Sequence, residues 1–105
     1  MKVVINKCYG GFGLSKEACQ LYAERKGLKL GEWNESWSFY EGGDFYDRQI
    51  NRGDPVLVQI VEELGDKANG NFADLQIVEI PDDVEWTVED YDGKEWIAEA
   101  HRTWG

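Results

Sequence analysis

A chain of 105 residues, 42% hydrophobic and 13% aromatic, has material for one core and too little for two, so a single domain over residues 1–105 is expected. Acidic residues outnumber basic ones 21 to 11; the net charge of −10 repels a phosphate backbone and argues against direct nucleic-acid binding, although a local cluster of cations and amides still suits a small anion. Two cysteines are too few to staple a secreted domain, the opening residues lack a leader-like apolar stretch, and no apolar run approaches the roughly 18 residues of a membrane span. The reading is a cytoplasmic chain with reduced thiols and no membrane partner.

In chain order, Val3, Val4 and Ile5 form a β-branched run ended by Tyr9-Gly10-Gly11-Phe12-Gly13, where glycine opens backbone angles closed to other residues. Ser15 stands as a helix cap before Ala18, Leu21 and Tyr22 at helical spacing, and Gly27 is placed to end that helix. Residues 31–53 show no sustained period and hold Trp33, Trp37, Phe39, Tyr40, Phe45 and Tyr46 among small and polar residues. So long a stretch without regular structure is uncommon in a compact domain, so it is an ordered functional excursion, an extra hairpin or a surface that docks on a partner, and an aromatic-rich excursion with some strand content is the expectation.

Asp54-Pro55 then offers a cap followed by proline at the first helical position, and Leu57, Ile60, Val61 and Leu64 recur at i, i+3, i+4 and i+7. Asn69-Gly70 is placed to stop this second helix. Leu75 to Ile80 reads as a strand closed by Pro81-Asp82-Asp83. A hairpin follows, with Val84, Trp86 and Val88 on one side of the turn Asp90-Tyr91-Asp92-Gly93 and Trp96, Ala98 and Ala100 on the other, forming one buried face against an acidic one. The expected architecture is α+β: two helices packed on a small, mostly antiparallel sheet, with the irregular aromatic excursion between them.

Candidate chemistry falls in three places. Gly10, Gly11, Phe12 and Gly13 lie between a strand and a helix start, where free amides and the helix dipole hold anions; a tight turn of purely geometric use is the plainer reading, because Lys16 stands where a dinucleotide fingerprint needs glycine and no GK[ST] triplet follows. Arg102 and Trp104 near the C-terminus combine a bidentate anion fork with a stacking plate, and Arg48 and Arg52 flank the excursion. Cys8 and His101 form a thiol nucleophile and base only if the fold brings them together, while a buried thiol and a solvated imidazole are the ordinary alternatives. Carboxylate pairs such as Asp82-Asp83 are too common here to mark acid–base work, two dispersed cysteines and one histidine lack metal-site spacing, and no cofactor is expected.

The strings KCYGGFGLS, DPVLVQIVEELGDKANG, IVEIPDDVEW, EDYDG and HRTW resemble a family of small, uncharacterised phage and prophage proteins. The resemblance covers nearly all the chain except about residues 28 to 52, which look like its variable part. It implies phage origin, and so the cytoplasm of an infected bacterium, but carries no settled activity and no catalytic residues; counter-defence is the expectation only because small phage accessory proteins often serve it.

Three readings follow. The first is a non-catalytic protein that sequesters a small nucleotide-like ligand through Gly10, Gly11, Phe12, Gly13, Arg102 and Trp104, with homo-oligomerisation helping so small a chain to enclose it. The second is an acidic inhibitor that docks on a host nucleic-acid-handling or defence protein through Trp33, Trp37, Tyr40 and Tyr46. The third is a hydrolase dependent on Cys8 and His101. The first is preferred, because the glycine turn and the Arg102–Trp104 tail occupy sites that a sheet end can bring together, while the acidity already has a simple explanation in solubility.

Overall fold

The caps and apolar runs organise a structure, obtained as a computed structural model, that describes residues 1–71, 73–83 and 85–99. Among these the order is β1 (Lys2–Asn6), α1 (Lys16–Lys26), β2 (Leu30–Asn34), β3 (Phe39–Gly43), α2 (Pro55–Leu64), β4 (Leu75–Glu79), β5 (Trp86–Tyr91) and β6 (Lys94–Glu99), with 3₁₀ turns at Asp47–Gln49 and Gly65–Ala68. The expected α+β architecture is present. Its strands pair antiparallel as β1–β4, β2–β3 and β5–β6, so the sheet is divided into three two-stranded ribbons. The aromatic excursion contains the β2–β3 hairpin and the first 3₁₀ turn.

Both helices begin where side chains can satisfy their first amides. Ser15 Oγ accepts from the Ala18 amide at 3.1 Å and donates to the Lys67 carbonyl at 2.6 Å, which caps α1 and ties it to the chain beyond α2. Gly27, at φ +67°, closes α1 in the left-handed region. Asp54 caps α2 through the Val56 amide at 2.9 Å, with Pro55 in the first turn. The Asp54 carboxylate also accepts from the Tyr22 hydroxyl at 2.7 Å and Lys26 Nζ at 3.2 Å, so the start of α2 is fastened to α1. The second helix ends at Gly65, at φ +56°, earlier than Asn69-Gly70; a 3₁₀ turn carries the chain on to Ala68.

Leu57, Val58, Ile60 and Val61 of α2 are buried, each contributing about 1.5–3 kcal/mol by leaving water. They join Val4, Phe12, Leu14, Ala18, Cys19, Tyr22, Ile50, Ala68 and Leu75 in one core. On this core α2 packs against β1 and β4, α1 packs against α2, the β2–β3 hairpin leans on α1, and β6 lies against β1.

The C-terminal hairpin departs from its expected facing. Tyr91 pairs with Lys94 across a two-residue turn in which Asp92 and Gly93 both have positive φ, the geometry whose twist matches the flanking strands. That register sets Val88 opposite Ile97 and Asp90 opposite Glu95, while Trp96 faces Glu89. Ile97, not Trp96, therefore shares a face with Trp86 and Val88. Glu95 is buried at 6% exposure and Trp96 is exposed at 42%, because a one-residue change of register exchanges every side chain between faces. Val84 and Ala100, also assigned to this hairpin from the sequence, lie outside the described residues.

Candidate functional site

The β2–β3 hairpin separates its aromatic residues by strand alternation. Tyr40 and its cross-strand partner Trp33 face α1: their rings meet edge-on at 5.0 Å, Gln20 Nε2 donates to the Tyr40 hydroxyl at 3.1 Å, and Lys16 Nζ lies 5.5 Å from the Trp33 ring centre. Both are half-buried and serve to fasten the hairpin. Phe39 and Glu41 point the other way. With Trp37, Tyr46 and Arg48 they line an open pocket of about 330 Å³, within the usual size range for small-molecule sites.

Local contacts set the walls of this pocket. Asn34 Oδ1 accepts the Trp37 amide at 3.0 Å and its carbonyl accepts the Ser38 amide at 2.7 Å, forming a turn in which Ser38 has φ +53°. Asn71 Nδ2 donates to Ser38 Oγ at 2.5 Å, bracing the turn from beyond α2. Trp37 stands 77% exposed, whereas the Phe39 and Tyr46 rings meet edge-on at 5.7 Å and 83°. Arg48 is exposed and joins no ion pair among the described residues.

Trp37, Phe39 and Arg48 also line a second, much smaller groove of about 40 Å³ whose far wall includes Gly10, Gly11, Gly13 and Asn71. The glycine turn and the aromatic excursion, separate in the sequence reading, thus border the same groove, which shares Trp37, Phe39 and Arg48 with the larger pocket. The residues that follow the turn are fastened to the rest of the fold. Asp47, buried at 6% exposure, accepts the Leu14 amide at 3.0 Å; the Ser15 amide goes to the Ala68 carbonyl and the Gly70 amide to the Gly13 carbonyl. The chain thus sets a carboxylate of its own on the Leu14 amide, between the glycine turn and the start of α1. Phe12 is buried, with the Arg52 guanidinium 3.5 Å from its ring centre.

Arg52 is not an anion contact either: it pairs with Glu95 at 2.5 Å, and both side chains are sheltered. Cys8 is half-buried beside the turn, its amide donating to Asn6 Oδ1 at 3.2 Å. Cys19 lies in the core, where burial and then the neighbouring Asp47 charge push its thiol up to about 12. His101, Arg102 and Trp104 lie outside the described residues, and with them the Cys8–His101 dyad and the convergence of turn and tail.

Of the residues singled out in the sequence, Gly10, Gly11, Phe12 and Gly13 line the smaller groove, Tyr46 lines the larger pocket and Trp37 lines both, whereas Trp33 and Tyr40 pack the hairpin on α1. Glu41 and Asp47 escaped notice. Strand alternation from Phe39 signals Glu41 once β3 is assigned, but no local pattern announces that Asp47 meets Leu14. Among the described residues no helix is long and apolar enough to cross a membrane, and no three His, Cys, Asp or Glu side chains cluster to hold a metal ion. Comparison with protein-family models, with curated proteins and with solved structures finds no match to this chain.

Proposed function

We propose that the chain is a non-catalytic binding protein that sequesters a small, nucleotide-like ligand in the pocket of the β2–β3 hairpin. Trp37, Phe39 and Tyr46 supply apolar faces for a planar group, and Arg48 supplies a guanidinium fork for an attached anion. The observation that carries this reading is their presence around one pocket of about 330 Å³. The Asp47 carboxylate on the Leu14 amide lies beside the glycine turn and repels an anion there, so the anion falls to Arg48, which lines both concavities. The resemblance to small phage proteins supplies the biological setting: a counter-defence factor in the cytoplasm of an infected bacterium, in which a second copy of the chain closes the open side of the pocket.

The test is a thermal-shift screen against mono-, di- and cyclic nucleotides, followed by calorimetric titration. A ligand at a hundredfold excess over Kd stabilises the fold by about 2.7 kcal/mol. Trp37→Ala should weaken binding by about 1–3 kcal/mol, the usual worth of one stacked base, and Arg48→Gln should weaken phosphate-bearing ligands more than the corresponding nucleosides. Light scattering with and without ligand reads assembly. Absence of binding by every nucleotide would transfer the function to the second reading, an acidic inhibitor of a host protein anchored by Trp37; the 77% exposure of that residue favours such contact, and the affinity would then fall steeply with salt.

A further inference from the structure

We infer that the ligand of this pocket is a guanine nucleotide whose base is read by Glu41. The inference rests on the proposed ligand-binding role of the pocket and names the chemistry that the pocket selects. Its walls carry two opposite charges, Glu41 on β3 and Arg48 in the 3₁₀ turn that follows. Neither enters an ion pair among the described residues, with each other or with a third group. A ligand that satisfies both must offer hydrogen-bond donors at one end and negative charge at the other.

An ionised carboxylate only accepts hydrogen bonds. Guanine is the one common nucleobase with two adjacent donors, N1–H and the N2 amino group, on the edge facing away from the sugar, and they match the two oxygens of one carboxylate. Adenine and cytosine place a ring-nitrogen lone pair beside their amino group, and uracil flanks its N3–H with two carbonyls. Each of these sets a lone pair against the carboxylate. Aromatic walls beside a carboxylate also suit a methylammonium or guanidinium cation, which Glu32, the cross-strand partner of Glu41, favours and Arg48 opposes; a cation leaves Arg48 without a partner, whereas a guanine nucleotide engages both Glu41 and Arg48.

The backbone supports simultaneous contact. Phe39 and Glu41 lie on one face of β3, two residues and about 7 Å apart at about 3.4 Å per residue, so a base stacked on the aromatic wall directs one edge along the strand toward Glu41. Arg48, which lines both concavities, is placed for the phosphate, while the Asp47 carboxylate beside the glycine turn disfavours negative charge there.

Calorimetric titration of the full chain with GMP, AMP, CMP, UMP, guanosine and inorganic phosphate at fixed salt provides the test. GMP should bind at least tenfold more tightly than AMP, and guanosine should bind where phosphate alone does not. In Glu41→Gln the amide offers one donor and one acceptor, which suits adenine, so GMP affinity should fall at least tenfold while AMP affinity holds or rises. If AMP binds as well as GMP, and Trp37→Ala weakens both, the guanine assignment falls and the ligand pocket stands. If no nucleotide binds, both fall. Should Glu41→Gln fail to fold, the GMP to AMP ratio of the unmodified chain decides alone.

Discussion

At the residue scale, two ionisable groups make stability fall at high pH. Cys19 is 1% exposed, and burial followed by the Asp47 charge lifts its thiol to about 12, whereas an unfolded thiol titrates near 8.5. Above about pH 8.5 the unfolded chain releases a proton that the folded chain keeps, so this contribution is complete below that pH and is lost as pH rises toward 12. Tyr22 acts in the same direction at still higher pH, since burial and its hydrogen bond to Asp54 raise the phenol. The urea midpoint should therefore decline from about pH 8.5 upward. Cys19→Ala should remove most of that decline below pH 10 while costing some packing at neutral pH, and an unchanged slope would show that the thiol is not its source. Asp54 governs the acid side. Burial opposes its ionisation, but hydrogen bonds from Tyr22, Val56 and Lys26 outweigh burial and hold the carboxyl below the usual range, so its contribution is present above about pH 3.9 and is lost below.

At the element scale, turns decide how the ribbons lie, and two glycines separate the local cost of a turn from its tertiary cost. Gly27 at φ +67° has open space where a Cβ would project, so Gly27→Ala should cost only the left-handed penalty of about 1–2 kcal/mol. Gly93 at φ +90° would set its Cβ 2.4 Å from the Gly11 nitrogen and 2.6 Å from the Tyr9 carbonyl oxygen, so Gly93→Ala must also push the β5–β6 hairpin off the glycine turn. Its loss of stability in urea should exceed that of Gly27→Ala by at least about 1 kcal/mol, as overpacking usually does; equal losses would mean that the hairpin is not seated there. The same distinction governs what was legible in the sequence. Helix starts at Ser15 and Asp54 are local events, written in a cap and the following few residues, and both appear as read. The facing of β6 depends on whether the turn after Tyr91 holds two residues or more, and alternation alone does not determine that. The β2–β3 hairpin stays one alternative among several in the sequence because its two faces serve different partners, α1 on one side and the pocket on the other, so neither face is uniformly apolar.

At the scale of the whole molecule, the three ribbons share no hydrogen-bonded ladder among the described residues, and buried polar contacts join what the apolar core does not. Asn6, at 0% exposure, donates its amide to Glu95 Oε1 at 2.8 Å and its Nδ2 to the carbonyls of Cys8 and Gly93, while its Oδ1 accepts from the Asp74 and Cys8 amides. Glu95 also takes Arg52 at 2.5 Å, and Arg52 lies over Phe12, so β1, the glycine turn, the segment before α2 and the last hairpin meet at one cluster. Asn6 and Glu95 are 89 residues apart in the chain, and no short-range pattern joins them. A sheltered ion pair of this kind is a weak source of net stability but a costly one to halve, because the remaining charge is left without its partner in a dry place. Glu95→Gln, which keeps an acceptor for the Asn6 amide, and Arg52→Met should therefore each cost about 3–5 kcal/mol. The double substitution should cost well below their sum, and a coupling smaller than about 0.5 kcal/mol would mean that the pair does not act as a unit. Hydrogen exchange locates the effect: if the cluster is what holds the C-terminal ribbon to β1, amides of β5 and β6 should lose protection in Glu95→Gln before those of α2, whereas a uniform loss would make the pair a contributor to global stability alone.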